Sequence, residues 1–225
     1  MFKKVFFAAI ASVLCLTVSA QEKTPAAVPS KGLSETAELL NMAGQLVRYG
    51  YDTKTALPLI QAVEIYNRLG AAPQEMTKAE SAGQGVKVAE DAKTSSMGHT
   101  PQQLLADATT FAEGDKNLLA LIQDAGNTRG RVNGPVYHVD RVRAGETDVY
   151  TLSFRGGEEA SIVVYGDGDT DLDLYVYDEN DNLIEYDNDS TDLCAVSFYP
   201  RWTGPFKIHI RNLGHVYNEY VLATN

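Results

Sequence analysis

Cysteine is almost absent from this chain. There are two, Cys15 and Cys194. Cys15 lies within residues 1–20, which read as a secretory signal. Lys3 and Lys4 open it, Val5 to Val18 is mostly apolar, and Val18-Ser19-Ala20 makes a small-residue cleavage pattern ahead of Gln21. Leu14 stands before Cys15 where a lipid-modification signal needs a small residue, so no lipid anchor is expected. Cleavage leaves Cys194 as the single cysteine and excludes an intrachain disulfide. An exported domain of that kind relies on its apolar core or on metal ions. Cys194 shares a strand-like run with Val196 and Phe198 and reads as a small buried apolar residue rather than a nucleophile.

Basic residues are scarce too. Nineteen Lys and Arg, two of them in the leader, stand against 30 Asp and Glu. Such a surface is a poor partner for nucleic acid or anionic lipid. Beyond the leader no run is long and apolar enough for a transmembrane helix, so no stable membrane insertion is expected. The expected location is periplasmic or secreted. Catalytic signatures are missing as well: there is no HExxH and no GxSxG. His99, His138, His209 and His215 stand in no metal-ligand spacing with one another or with cysteine. His138 and His209 fall in alternating strands and are expected on a sheet surface. The protein is therefore not expected to be an enzyme.

What is present divides in two. Residues 21–132 are near neutral and rich in Ala, Leu and Gln. Residues 133–225 carry six basic and seventeen acidic residues and are rich in Val, Tyr, Asp and Gly. The fold class this predicts is α+β in separate regions: N-terminal helical hairpins, then a C-terminal all-β jelly-roll-like sandwich. Residues 21–33 read as a flexible leader. Ser34 caps a helix over 35–49 that Gly50 ends, and a second helix runs over 55–69 to Gly70, making a helical hairpin of 34–70. Residues 71–99 have few large apolar side chains and read as a mobile linker. Thr100-Pro101-Gln102-Gln103 is a helix start with a capping box, and Asp115 caps a last short helix, giving a second hairpin over 100–126. Residues 130–225 form the sandwich, with strands expected near 136–143, 147–154, 159–165, 172–178, 183–187, 193–199, 205–212 and 218–224.

The sandwich is organised around Gly166 to Asp192, which holds nine Asp and two Glu with no Lys or Arg. Carboxylates at that density need solvent or a cation to offset them. Leu172, Leu174 and Val176 alternate with Asp171, Asp173, Tyr175 and Tyr177, so an acidic loop feeds a half-buried strand. Asp167, Asp169 and Asp171 have the spacing that opens an EF-hand, but Leu172 replaces its Gly and Asp178 its Glu, so another oxygen cage is the alternative. A hairpin of 172–178 with 183–187 brings Asp167, Asp169, Asp171 and Asp173 to the same end as Asp187, Asp189 and Asp192. These seven are the candidate calcium ligands; the competing reading is a solvated acidic loop. Tyr175, Tyr177, Tyr186, Tyr199, Trp202, Tyr217 and Tyr220 either pack in the sandwich or bind glycan or peptide.

Ala144-Gly145-Glu146 through Tyr150, the run GDGDTDLDLYVYDENDNLI, then TGPFKIHIRNLG and Val216-Tyr217-Asn218-Glu219-Tyr220 resemble the bacterial pre-peptidase C-terminal (PPC) domain over about residues 130–224. The resemblance implies a jelly-roll-like sandwich appended to secreted proteins, with calcium bound in some relatives. It names no activity, because no peptidase precedes it here. The expectation is a non-catalytic exported interaction or accessory module. Its sandwich is calcium-braced and binds a protein or polysaccharide partner in the cell envelope. The alternative is an unrecognised secreted hydrolase with a site between the helical and β regions.

Overall fold

The computed structural model describes residues 24–81, 97–127 and 134–225; the signal read over 1–20 lies outside them. Among the described residues there are four helices and eleven strands. Helix α1 (Glu35–Thr53) starts at Ser34, whose hydroxyl accepts from the Ala37 N–H, and stops at Lys54 in the left-handed conformation. The sequence placed its end at Gly50, but the helix runs on through that residue. Gly50 is there for close approach: a Cβ would meet Leu59 of α2 (Ala56–Leu69) at 2.5 Å. Helix α3 (Pro101–Phe111) begins with the capping box read from Thr100 and Gln103. Asp115 then accepts from the N–H groups of Asn117 and Leu118 at the start of α4 (Lys116–Asn127).

Strands β1 (Ala27–Pro29), β2 (Ala72–Pro73) and β3 (Lys78–Ser81) precede the eight strands of the sandwich. Those are β4 (Val136–Val142), β5 (Thr147–Phe154), β6 (Ala160–Gly166), β7 (Leu172–Asp178), β8 (Leu183–Asp187), β9 (Leu193–Pro200), β10 (Gly204–Asn212) and β11 (Asn218–Thr224). One sheet has the order β1-β9-β6-β11-β4-β2 and the other β3-β5-β10-β7-β8. The α+β class with a C-terminal sandwich stands as the composition break indicated.

Two apolar layers hold the fold. Between the sheets lie Ile162, Val164, Leu172, Leu174, Val176, Phe198, Phe206, Ile208 and Ile210, all buried. Between the helices and the six-stranded sheet lie Leu40, Val47, Leu59, Tyr66 and Leu104 against Val163, Tyr165 and Val221. Strand β6 is covered on both faces, and every one of its residues is buried. That is why Ala160 to Gly166 reads as a continuous apolar run, whereas β10, covered on one face, alternates. Cys194 is 1 % exposed, and its thiol donates to the Leu172 carbonyl in the inter-sheet core.

Three expectations are corrected. The leader 21–33 includes ordered strand: Ala26 and Ala27 are buried, and Ala27–Pro29 pairs with Phe198–Pro200 of β9. The linker 71–99 supplies an edge strand to each sheet, β2 beside β4 and β3 beside β5, while 82–96 lies outside the described residues. Both segments have few large apolar side chains (Met76 and Leu33 are the partly buried ones), which is why they read as mobile. Backbone pairing needs none: main-chain hydrogen bonds and a few polar contacts hold them. Also corrected is His138, which is 7 % exposed beneath Met76, whose N–H donates to Nδ1.

Candidate functional site

The acidic stretch folds as its alternation suggested. Strands β7 and β8 pair as a hairpin, with Tyr175 opposite Tyr186 and Leu174 opposite Asp187. Leu172, Leu174 and Val176 enter the core, and Asp173, Tyr175 and Tyr177 share the outer face. The loops at the two ends meet: the Leu172 N–H donates to the Thr191 carbonyl.

The seven carboxylates do not converge on one point. Asp167 is spent on the backbone: its Oδ1 accepts from the Asp169 N–H at 3.2 Å and its Oδ2 from the Glu219 N–H at 2.8 Å. Asp192 is 2 % exposed and lies in a polar knot. Its Oδ2 accepts from the Gly168 N–H and from the Asn218 amide, and its Oδ1 takes the guanidinium of Arg48 on α1. The knot is tight enough that a Cβ at Gly166 would meet Asn218 Oδ1 at 2.3 Å and Asp192 Oδ2 at 2.4 Å. Asp187 accepts from the Ala195 N–H across to β9, and Asp189 from the Thr191 N–H and hydroxyl. Asp173 is buried and accepts from the Tyr175 hydroxyl.

Asp171 is different. Its Oδ1 is buried without a hydrogen-bond partner among the described residues. Burial, then the charges of Asp173, Asp189 and Asp192, push its carboxyl up. Among the described residues no three His, Cys, Asp or Glu side chains group as metal ligands. Part of the compensation expected from a cation comes from Arg48, 144 residues before Asp192 and beyond any local signal.

A second acidic cluster escaped the sequence reading. Lys78 on β3 places Nζ 2.9 Å from Asp140 and 2.9 Å from Asp148. Asp148 is 1 % exposed and also accepts from the Tyr220 hydroxyl at 2.6 Å. Burial pushes the Asp148 carboxyl up despite Lys78. At Asp140 burial is outweighed by the Lys78, Arg141 and Tyr150 hydrogen bonds, and its carboxyl is lowered. Lys78 thereby ties the edge segment to both sheets.

Two concave surfaces remain. A cleft of ≈ 670 Å³ between the helices and the acidic loop is lined by Arg48, Tyr51, Lys54, Asp107, Asp167 and Asp169. This is where the hydrolase alternative puts a site; two of its carboxylates already serve the fold, Asp167 as above and Asp107 by accepting from the Tyr51 hydroxyl.

The other surface is the outer face of the five-stranded sheet, on which none of the four helices packs among the described residues. Tyr186, Tyr175 and Tyr177 stack there, with ring centroids 6.1 and 6.4 Å apart and interplanar angles of 20° and 27°. His209 lies 4.8 Å from Tyr177. Burial and the charge of Lys207 hold its imidazole below the ordinary range. A cleft of ≈ 740 Å³ runs along these rings, lined also by Gly145, Thr147 and Arg211. Of the other aromatics, Tyr220 is buried, Tyr217 lies under Arg141, and Tyr199 and Trp202 are exposed away from the row.

No protein-family model matches the chain, and no characterised protein matches by sequence. Similar solved structures include the pre-peptidase C-terminal domain of a collagenase from Bacillus anthracis, at 15% identity over 39% of this chain and 87% of that one, TM-score 0.32. They also include the C-terminal CBM6 of LamC, a marine laminarinase from Zobellia galactanivorans, at 11% identity over 39% and 88%, TM-score 0.24. A third is the CBM22-1–GH10 region of a Clostridium thermocellum xylanase, at 18% identity over 38% and 20%, TM-score 0.25. At such scores the fold assignment rests on the strands themselves.

Proposed function

We propose that this protein is a non-catalytic exported accessory module that binds a polymeric partner of the cell envelope, protein or polysaccharide, on the outer face of its five-stranded sheet. The observation that carries the reading is the stacked row of Tyr186, Tyr175 and Tyr177 on an uncovered sheet face. Aromatic rings bury large area at low entropic cost, and this row lies outside both apolar layers, with Tyr186 exposed and Tyr175 and Tyr177 half-buried. Among the described residues the helices cover the opposite sheet and leave this face open. The N-terminal charge and apolar pattern supports export, and the resemblance of residues 130–224 to the PPC domain supports an appended, non-catalytic role.

Calcium enters the same proposal in reduced form. Asp171, with Asp173 and Asp189 nearby, is the group whose unpartnered oxygen and mutual repulsion a hard cation would relieve. Asp167, Asp187 and Asp192 are engaged elsewhere and act as structural acceptors. The test of the function is binding of the full chain to immobilised envelope polysaccharides and envelope proteins, with Tyr175→Ala/Tyr177→Ala as the variant. Lost retention by a variant that still melts cooperatively supports the reading. Equal retention of variant and wild type contradicts it, and product release from any of those polymers favours the hydrolase.

A further inference from the structure

The chemistry of the outer face also points to a class of ligand. This step rests on the reading of that face as the binding surface and goes beyond it. On β10 the outward residues are Lys207, His209 and Arg211, beside Tyr177, Tyr175 and Asp173 of β7. On β5 they are Thr147, Val149 and Thr151.

Charge comes first. In a chain of net charge -11, this face is locally balanced. Lys207 donates to Asp181 at 2.5 Å, Arg211 lies in register with Asp173, and the depressed imidazole of His209 is uncharged at neutral pH. An ionic polymer finds no net field to bind here, and the acidic remainder of the chain repels an anionic one.

Shape comes second. Three rings lie within 27° of parallel between neighbours, and Tyr175 and Tyr177 line an open cleft rather than an enclosed pocket. Protein interfaces are anchored by side chains that fill desolvated pockets with an apolar centre. Around these rings the face offers hydroxyls, an imidazole and a guanidinium, with Val149 on β5, Leu183 opposite Tyr177 and Leu213 at the cleft as separate aliphatic neighbours. An aromatic row edged by donors and acceptors suits a ligand with alternating C–H faces and hydroxyl edges.

We infer that the row of Tyr186, Tyr175 and Tyr177 is a binding strip for an uncharged polysaccharide, whose sugar rings pack against the tyrosines while Arg211 and His209 meet its hydroxyls. Affinity electrophoresis of the full chain tests this, in native gels containing a neutral polysaccharide (a soluble β-glucan, xylan or mannan), an acidic one (alginate or polygalacturonate) or gelatin. Retardation in a neutral gel is expected. Tyr175→Ala/Tyr177→Ala should weaken it about tenfold, at about 0.5–1.5 kcal/mol per ring. Tyr49→Ala, on the exposed face of α1, should change nothing. Retardation only by the acidic polymer or gelatin, still lost in the double variant, overturns the uncharged-polysaccharide class and leaves the binding face standing. Retardation that no tyrosine substitution alters, or none in any gel, overturns the inference; in the first case the proposed face falls with it.

Discussion

The guanidinium of Arg48, on the first helix, donates to the carboxylate of Asp192, 144 residues away and 2 % exposed at the end of the acidic stretch. One side chain thus docks the helical layer on the sandwich and offsets part of the charge at that loop. Arg48→Ala leaves Asp192 buried with the Gly168 and Asn218 donors but no countercharge. A loss of about 2 kcal/mol in chemical denaturation is expected, discounted from the usual cost of breaking a buried pair because Arg48 is partly exposed. Asp192→Asn should cost less than Arg48→Ala, because it removes the charge together with its need for a partner.

A second long-range tie holds the N-terminal edge. Asp178 is fully buried, and its oxygens accept from the N–H groups of Ala26, Asn180 and Asn182 and from the Asn182 amide. Burial raises this carboxyl, but those bonds together outweigh it and hold it below the ordinary range. Its contribution is present above the unfolded-state value of about 3.9 and is lost as pH falls through the lower folded-state value. Asp178→Ala should cost about 2–4 kcal/mol at neutral pH and flatten the acid limb of the stability profile followed by circular dichroism.

The Lys78 clamp makes a pH-dependent contribution of its own, which also fades in acid. Lys78→Met removes the countercharge of Asp148, whose carboxyl burial already raises. The destabilisation should be about 2–4 kcal/mol near neutral pH and shrink as acid protonates Asp148. A penalty that does not vary with pH would show that the aliphatic stem of Lys78, not its charge, is what matters.

Asp171 separates the calcium proposal from mere crowding of acids. Its raised carboxyl makes its charge a cost to the fold, so Asp171→Asn should raise the melting temperature in excess chelator. Wild type should melt higher in millimolar calcium than in chelator, and the variant should show no such shift. Identical wild-type curves in the two conditions would remove calcium from the account.

Much of this fold was legible in the sequence because it rests on local periodicity. All eight sandwich strands lie within a residue of where alternation and turn residues put them, and the Thr100 capping box starts α3 as read. What escaped was whatever a distant partner decides. Ala26 to Pro29 and Ala72 to Ser81 carry no periodic signal, and only the sheet edges they meet make them strands. Gly50 read as a helix stop because the close approach of Leu59 cannot be seen from α1. At the site, alternation put Asp173, Tyr175 and Tyr177 on one face. The stacking of Tyr186 needed the β7–β8 register, and the division of the seven carboxylates among backbone, Arg48 and Thr191 needed the tertiary fold.

The central claim is that the tyrosine row is the binding surface, and the most direct measurement is an equilibrium isotherm. It compares wild type, Tyr175→Ala/Tyr177→Ala and the control Tyr49→Ala against whichever polymer retains the wild-type chain. The account predicts about tenfold weaker binding for the double variant, an unchanged constant for Tyr49→Ala and a cooperative melting transition in all three, lowered in the double variant by the lost Tyr175–Asp173 hydrogen bond. Equal affinity of the double variant and wild type would contradict it.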